Sequence, residues 1–232
     1  MFASMSQTKP PLDELLKLMF QAHPWHGLGA HATDDLVNAF IEIVPADTIK
    51  YELDKPSGHL GIDRPQRFSS MPPALYGFVP QTYCGPRVGA RCRARSGKPV
   101  ANGDGDPMDI CVLTERTVSH GNFLCRVEPI GGLRMIDGDQ ADDKIIAVLT
   151  SDLAYGGYRD IADFPKPMLD RLRHYFLTYK RRPDSSSGPV EIAEIYDRAE
   201  AFATIKESVL DYRELFGAPE ARVELLKRLL RE

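Results

Sequence analysis

Apolar and polar positions change their period along this chain, and the change predicts strands first and helices last. An arm comes before both. Leu12, Leu15, Leu16, Leu18, Met19 and Phe20 recur at helical spacing behind Pro10-Pro11, so a helix is expected over residues 12–22. His23-Pro24-Trp25-His26-Gly27 ends it and reads as an aromatic anchor, docking the arm on the body or on a neighbouring subunit. Residues 37–53 read as two strands around a turn at Pro45-Ala46-Asp47. Ile49, Tyr51 and Leu53 alternate with Lys50, Glu52 and Asp54, the period of a half-buried strand, which sets Lys50 and Glu52 on one face. Lys55-Pro56-Ser57-Gly58 is a turn, and residues 59–63 return as a strand towards Arg64. Pro72, Pro73, Gly77 and Pro80 mark loop structure around Tyr76 and Tyr83. The apolar runs 110–113, 125–127, 133–136 and 145–149 are further strand candidates.

From Pro165 the period lengthens. Met168, Leu169, Leu172, Tyr175, Phe176 and Tyr179 form a stripe on a helix over 165–182, closed by Lys180-Arg181-Arg182 where the helix dipole favours cations. Residues 190–192 read as a short strand. Asp197 and Glu200 are the N-cap and N3 pair of a helix to about Tyr212, and residues 220–231 form a last amphipathic helix. Strands followed by helices predict an α+β chain with a mainly β core, not alternating βαβ units. The expected division is a helical arm over 1–36, a central domain over 37–212 and a C-terminal helix over 213–232.

Composition narrows the class. A chain of 232 residues, 43% hydrophobic and 27% charged, has enough material for a sizeable core. A net charge of −4 argues against a dedicated nucleic-acid binder, which carries a basic bias. No apolar run is long enough to span a bilayer, and the first twenty residues, with Lys9, Asp13, Glu14 and Lys17, do not form a secretory signal. The expected location is cytoplasmic. Cys84, Cys92, Cys111 and Cys125 include no CxxC pair. Cys111 and Cys125 lie in apolar runs and read as reduced core thiols, while Cys84 and Cys92 have no nearby His to suggest zinc. Residues 84–103 carry Arg87, Arg91, Arg93, Arg95 and Lys98 among Gly and Pro. They read as a flexible cationic loop: a solvated insertion, a phosphate-attracting lid, or a patch for an anionic partner.

The chemistry gathers in Asn102-Gly103-Asp104-Gly105-Asp106-Pro107-Met108-Asp109, which feeds the strand 110–113. Three carboxylates so close force like charges together, and hard divalent cations with oxygen ligands compensate them most simply. A second acidic turn, 137–144, precedes the strand 145–149 and sets Asp142 and Lys144 on one face. Neither is an EF-hand. The first has Met108 and Asp109 where that loop needs a ligand and a glycine; the second has Ala141 and Asp142 there and Val148 in the place of the last Glu. The polar residues at strand edges and turns are Glu42, Glu52, Asp104, Asp106, Asp109, Asp137 and Asp142. Against them stand Lys50, Arg64, Lys144 and Lys180, with Tyr76 and Tyr179 as hydroxyl donors. If these converge, the surplus of acid repels an anion until bound Mg²⁺ inverts the field. Two such ions sharing a water activate it and clamp an in-line displacement, and Lys and Arg take the charge of the phosphoryl groups. The pattern predicts metal-assisted phosphoryl hydrolysis.

Gly103-Asp-Gly-Asp-Pro-Met-Asp109 resembles the signature of soluble family I inorganic pyrophosphatases. The likeness continues through Ile41-Glu42-Ile43, Ile49-Lys50-Tyr51-Glu52, Asp63-Arg64, Tyr76-Gly77, Leu133 to Lys144, Tyr179-Lys180 and residues 190–201, and spans about 37–212. The resemblance implies a five-stranded OB-like barrel with flanking helices, Mg²⁺, hydrolysis of pyrophosphate to two phosphates, and a homo-oligomer. It also implies roles. Asp104, Asp109 and Asp142 would hold the first metals, while Asp137, Glu42 and Glu52 would serve metals arriving with substrate. Asp106 would accept the proton of the nucleophilic water. Lys50, Arg64, Tyr179 and Lys180 would bind phosphates, with Tyr76 and Lys144 in support. The sequence departs from the pattern in several places. Pro72 stands where the family usually has a tyrosine, the interval from Glu42 to Lys50 is one residue shorter than in the common bacterial form, and 84–103 looks inserted. The competing expectations are an OB-type module binding nucleic acid through Arg87, Arg91, Arg93 and Arg95, and a relative acting on another phosphoanhydride.

Overall fold

A computed structural model describes residues 21–180 and 190–229. Four strands come first: β1 Val37–Ile43, β2 Ile49–Leu53, β3 Leu60–Pro65 and β4 Leu75–Phe78. Helix α1, Pro86–Ser96, separates them from β5 Asn102–Gly103, β6 Asp109–Leu113, β7 Phe123–Asp137, β8 Gln140–Ala141 and β9 Lys144–Leu149. A 3₁₀ turn, Ile161–Asp163, leads to α2 Lys166–Thr178, followed by β10 Val190–Asp197, α3 Arg198–Phe216 and α4 Pro219–Leu229.

The strands of the main sheet close on themselves. β1 pairs with β4, β4 with β6, β6 with β9, β9 with β7, and β7 returns to β1, making a ring of five strands. All these pairings are antiparallel except β6 with β9. β10 adds to the far end of β7, while β2 and β3 form a separate hairpin. The fold is mixed α+β and mainly β, as the order of periods predicts.

The ring strands are buried on both faces, which is why they read as continuous apolar runs. Ala39, Ile41, Ile110, Val112, Ile145 and Ala147 join one core with Val88 and Cys92 of α1 and Ala201 and Ile205 of α3. Cys111, Leu113, Ile146 and Val148 face the other way and pack with Leu172 and Phe176 of α2. Alternation along each strand therefore splits the interior into two layers. A third cluster sets Trp25 against Phe40, Leu53, Phe78 and Tyr212. The aromatic anchor of the arm thus docks on the body of its own chain.

Three expectations are corrected. Residues 84–103 are not a flexible loop, for α1 occupies 86–96. Pro86 sits in its first turn, and Gly97 ends it at φ 68°, donating its N–H to Arg93 O at 3.0 Å. Both are helix punctuation. The two candidates 125–127 and 133–136 are one strand of 15 residues, β7. Pro129 and Gly131 mark a bulge against β9 rather than a break. Gly77 lies in β4, not in a loop: a Cβ there would come within 1.9 Å of Phe40 O, so the glycine marks a close strand approach.

Other boundaries shift slightly. α2 begins as expected, but Arg181 and Arg182 lie outside the described residues. Asp197 caps α3, accepting Glu200 N–H at 2.8 Å, and α3 runs past Tyr212 to Phe216. The arm helix expected over 12–22 lies outside the described residues apart from Gln21 and Ala22, which are not helical. All four cysteines are free. No described helix is long and apolar enough to cross a membrane.

Candidate active site

Register brings the charged residues together. The parallel pairing of β6 and β9 sets Asp109 beside Lys144, and the β2–β3 hairpin sets Lys50 opposite Arg64. Asp137 ends β7 where it meets β10, and Tyr179 and Lys180 follow the last turn of α2. Tyr76 projects from β4, beside the glycine that lets that strand press on β1. The Asp104–Asp109 segment is held by Cys84, whose N–H donates to Asp106 O at 2.8 Å and whose carbonyl accepts Gly105 N–H at 3.0 Å. Gly103 permits this, since a Cβ there would lie 2.2 Å from Cys84 O.

A cleft of about 880 Å³ results. It is lined by Glu42, Glu52, Asp104, Asp106, Asp109, Asp137 and Asp142, by Lys50, Arg64, Lys144 and Lys180, and by Tyr76 and Tyr179. Every residue singled out from the sequence therefore reaches one cavity. Pro72 is buried and is not part of its lining. Sequence reasoning missed Lys55, Arg67 and Gln140, and gave no role to Asp63 of the Asp63-Arg64 match; all four line it too. Arg67 donates to Lys180 O at 2.6 Å and so ties the end of α2 to the cleft wall. No motif or periodicity marks it; only its place three residues after Arg64 hints at the cleft.

The acid is compensated unevenly. Lys144, 1% exposed, donates to Asp109 and Asp142 together. Lys180 donates to Asp137 at 2.5 Å and stands 3.5 Å from Asp142. Lys50 pairs with Glu52 at 2.6 Å and Asp63 at 2.7 Å, and Lys55 pairs with Asp106. Burial raises Asp142, but Lys144 and Lys180 outweigh it and hold that carboxyl below its ordinary range. Asp109 is raised by burial, with Lys144 opposing and Asp142 adding. Asp104 and Glu42 are each pushed up to about 8, first by burial; Asp142 adds at Asp104, and Asp109 and Glu52 add at Glu42. Burial opposes the charge of Lys144, yet Asp109 and Asp142 carry its pKa well above the ordinary lysine value. Burial raises the Tyr76 phenol, so it stays a hydrogen-bond donor at neutral pH.

These residues suit a hard divalent cation. The donor set is all oxygen, two carboxyls need added positive charge to ionise at neutral pH, and buried Asp142 Oδ2 has no hydrogen-bond partner and faces the Lys180 ammonium at 3.5 Å. As placed, no three carboxylate, His or Cys groups among the described residues already stand at metal-holding distance. The lysine ammonium groups lie between them instead, as the bridge of Lys144 shows.

A closed ring of strands beside an acid-rich cleft edged with Lys and Arg defines a protein with a charged ligand site. Comparison with known proteins agrees. The family model described as inorganic pyrophosphatase matches residues 39–213. The chain is 48% identical to the inorganic pyrophosphatase of Chlamydia trachomatis over 200 residues, covering 84% of this chain and 96% of that protein. It is 37% identical to the soluble inorganic pyrophosphatase of Oryza sativa, covering 85% and 80%. The crystal structure of inorganic pyrophosphatase from Thermus thermophilus superposes with a TM-score of 0.69 at 26% identity, covering 83% of this chain and 99% of that one. This chain belongs to the inorganic pyrophosphatase family.

Proposed function

We propose that the cleft hydrolyses inorganic pyrophosphate to two phosphates with Mg²⁺ as its resident cation. One observation carries the reading: Asp104, Asp106, Asp109 and Asp142 share a cavity with Lys50, Arg64, Lys144 and Lys180. We read the five-stranded ring as an OB-like barrel with the cleft at its mouth. Asp104, Asp109 and Asp142 would hold the first cations, and Asp137, Glu42 and Glu52 those that arrive with substrate. Bound Mg²⁺ would neutralise phosphate oxygens and acidify a water.

The chain's own groups do the rest. Lys50, Arg64, Tyr179 and Lys180 bind phosphate oxygens. Lys144 is too deeply buried and too fully engaged to travel; it orients Asp109 and Asp142, with Tyr76 beside them. Asp106, whose side chain is 46% exposed, is open to the cleft space, as is Glu52, which Lys50 holds. Asp106 accepts a proton as the water oxygen bonds to one phosphorus and the bond from that phosphorus to the bridging oxygen breaks, the bridging oxygen leaving with the other phosphate. Lys50, Arg64 and Lys180 lie where they meet the charge of the leaving phosphate, which bound cations would share.

The nucleic-acid alternative loses its support, because Arg87, Arg91 and Arg95 pair with carboxylates of α3 and β10. Four free cysteines fit a reducing, cytoplasmic setting. Ile62 and Phe68, 71% and 75% exposed, are apolar surface that a second copy would cover in a homo-oligomer. A substrate panel with Mg²⁺ tests the reading. Phosphate is expected from pyrophosphate well ahead of longer polyphosphates and nucleotides; preference for either of those would assign the cleft to another phosphoanhydride.

A further inference from the structure

Lys55 belongs to none of the motifs, yet its ammonium pairs with Asp106 in the cleft. Its delivery there is built. Lys55 opens a turn closed by Gly58 N–H on Asp54 O at 2.8 Å, and Asp54 Oδ1 accepts both the N–H and the hydroxyl of Ser57, at 3.0 and 2.5 Å. His23 braces this turn. Its Nδ1 accepts the backbone N–H groups of Trp25 and His26 at 3.2 and 3.3 Å. That leaves the proton of the neutral ring on Nε2, which donates to Lys55 O at 3.0 Å. Gly58, at φ +73°, makes room, for a Cβ there would lie 2.7 Å from the His23 ring.

The same knot reaches the other partner. Trp25, 4% exposed, donates its indole N–H to Thr82 O at 2.8 Å. The Thr82 hydroxyl accepts Met108 N–H at 2.8 Å, two residues beyond Asp106. Lys55 Nζ lies 6.0 Å from the Trp25 ring centroid. One short segment, 23–26, thus registers the turn that carries Lys55 against the loop that carries Asp106.

The pair itself is weakly held. The side chains of Lys55 and Asp106 are 39% and 46% exposed, and a solvated ion pair exchanges readily. A pyrophosphate offers the ammonium more negative charge at the same mouth. Resting on the pyrophosphatase reading above, we propose that Lys55 is a further substrate-binding residue. It leaves Asp106 for a terminal phosphate oxygen as pyrophosphate enters, and its departure frees the carboxylate that takes the water's proton. His23 is a positioning residue for it.

Lys55→Met, which keeps the stem and loses the charge, tests this with Mg²⁺ and pyrophosphate. KM is expected to rise about tenfold while kcat changes less than about threefold, and Lys55→Arg returns KM towards wild type. His23→Ala shifts KM in the same direction, and the double variant is no worse than Lys55→Met alone. Trp25 is the only tryptophan of the chain, so its emission reports binding directly. Inorganic phosphate should change it in wild type and not in Lys55→Met. A wild-type KM in a folded Lys55→Met protein overturns the role of Lys55, and additive His23 and Lys55 effects overturn that of His23. A wild-type enzyme that releases no phosphate from pyrophosphate fails the functional reading instead.

Discussion

Asp106 and Glu42 show how differently two carboxyls of one cleft are set. Asp106 is half-exposed and paired with the partly exposed Lys55, which suits a group that takes and gives a proton. Asp106→Asn is expected to lower turnover about 10²- to 10⁴-fold while cation binding by calorimetry stays near wild type. Unchanged turnover would remove it as the base. Glu42 is buried, accepts Leu53 N–H at 2.7 Å and titrates near 8. Its folded-state pKa lies above the unfolded value of 4.5, so its contribution to stability is present below 4.5 and is lost as pH rises through about 8. In chelator, Glu42→Gln should therefore melt above wild type at pH 9 and level with it near pH 4. An equal difference at both pH values would contradict the burial argument. At this scale the sequence was generous: the candidates it offered at strand ends and in glycine turns, from Glu42 to Lys180, line the cleft, while Asp139 and Asp143 of the same turns do not. Lys55 and Arg67 stayed invisible because contacts far along the chain bring them in, not a local pattern.

Among the elements, α1 was the hardest to read. Gly85, Pro86, Gly89 and Gly97 look like loop composition, yet Pro86 and Gly97 bound a helix. Gly89 lets it touch β5, where a Cβ would come 2.6 Å from Asn102 C. Arg87, Arg91 and Arg95 face protein carboxylates, and Arg93 donates to Val100 O. Arg91 donates to both oxygens of Glu200, at 2.9 and 2.5 Å, and Arg87 pairs with Glu214 at 3.2 Å. Glu200 also receives Arg134, a fully buried arginine that reaches Asp143 and Glu194. α1 is thus pinned by ion pairs to α3 and β10, which suits a clamp better than a lid. Arg91→Ala should cost about 1–3 kcal/mol in denaturant unfolding and leave KM for pyrophosphate unchanged. A raised KM at wild-type stability would restore the lid. Arg134→Met should cost more, about 3–5 kcal/mol, because it strands buried carboxylates. Helices and strands with clean periodicity were legible, including the Asp197 cap. What failed was punctuation, where Gly and Pro serve close packing and helix ends as well as loops.

At the scale of the molecule, the ring of five strands is what turns scattered residues into a site. Glu42 on β1, Asp109 on β6, Asp137 on β7 and Lys144 on β9 are far apart in sequence and meet only because those strands close on one another. The order of periods predicted a mainly β core with helices after it; the closure itself has no signature in periodicity. The resulting cleft sets eight carboxyls against six lysines and arginines, with Asp104 and Glu42 pushed up to about 8 by burial, so without bound cations it has no positive excess to draw in pyrophosphate. Phosphate release from pyrophosphate, measured on the same preparation in Mg²⁺ and in excess chelator, tests that directly. Two phosphates per pyrophosphate are expected with Mg²⁺, none in chelator, and recovery when Mg²⁺ is returned. Full turnover in chelator, or none in Mg²⁺ from folded protein, would contradict it.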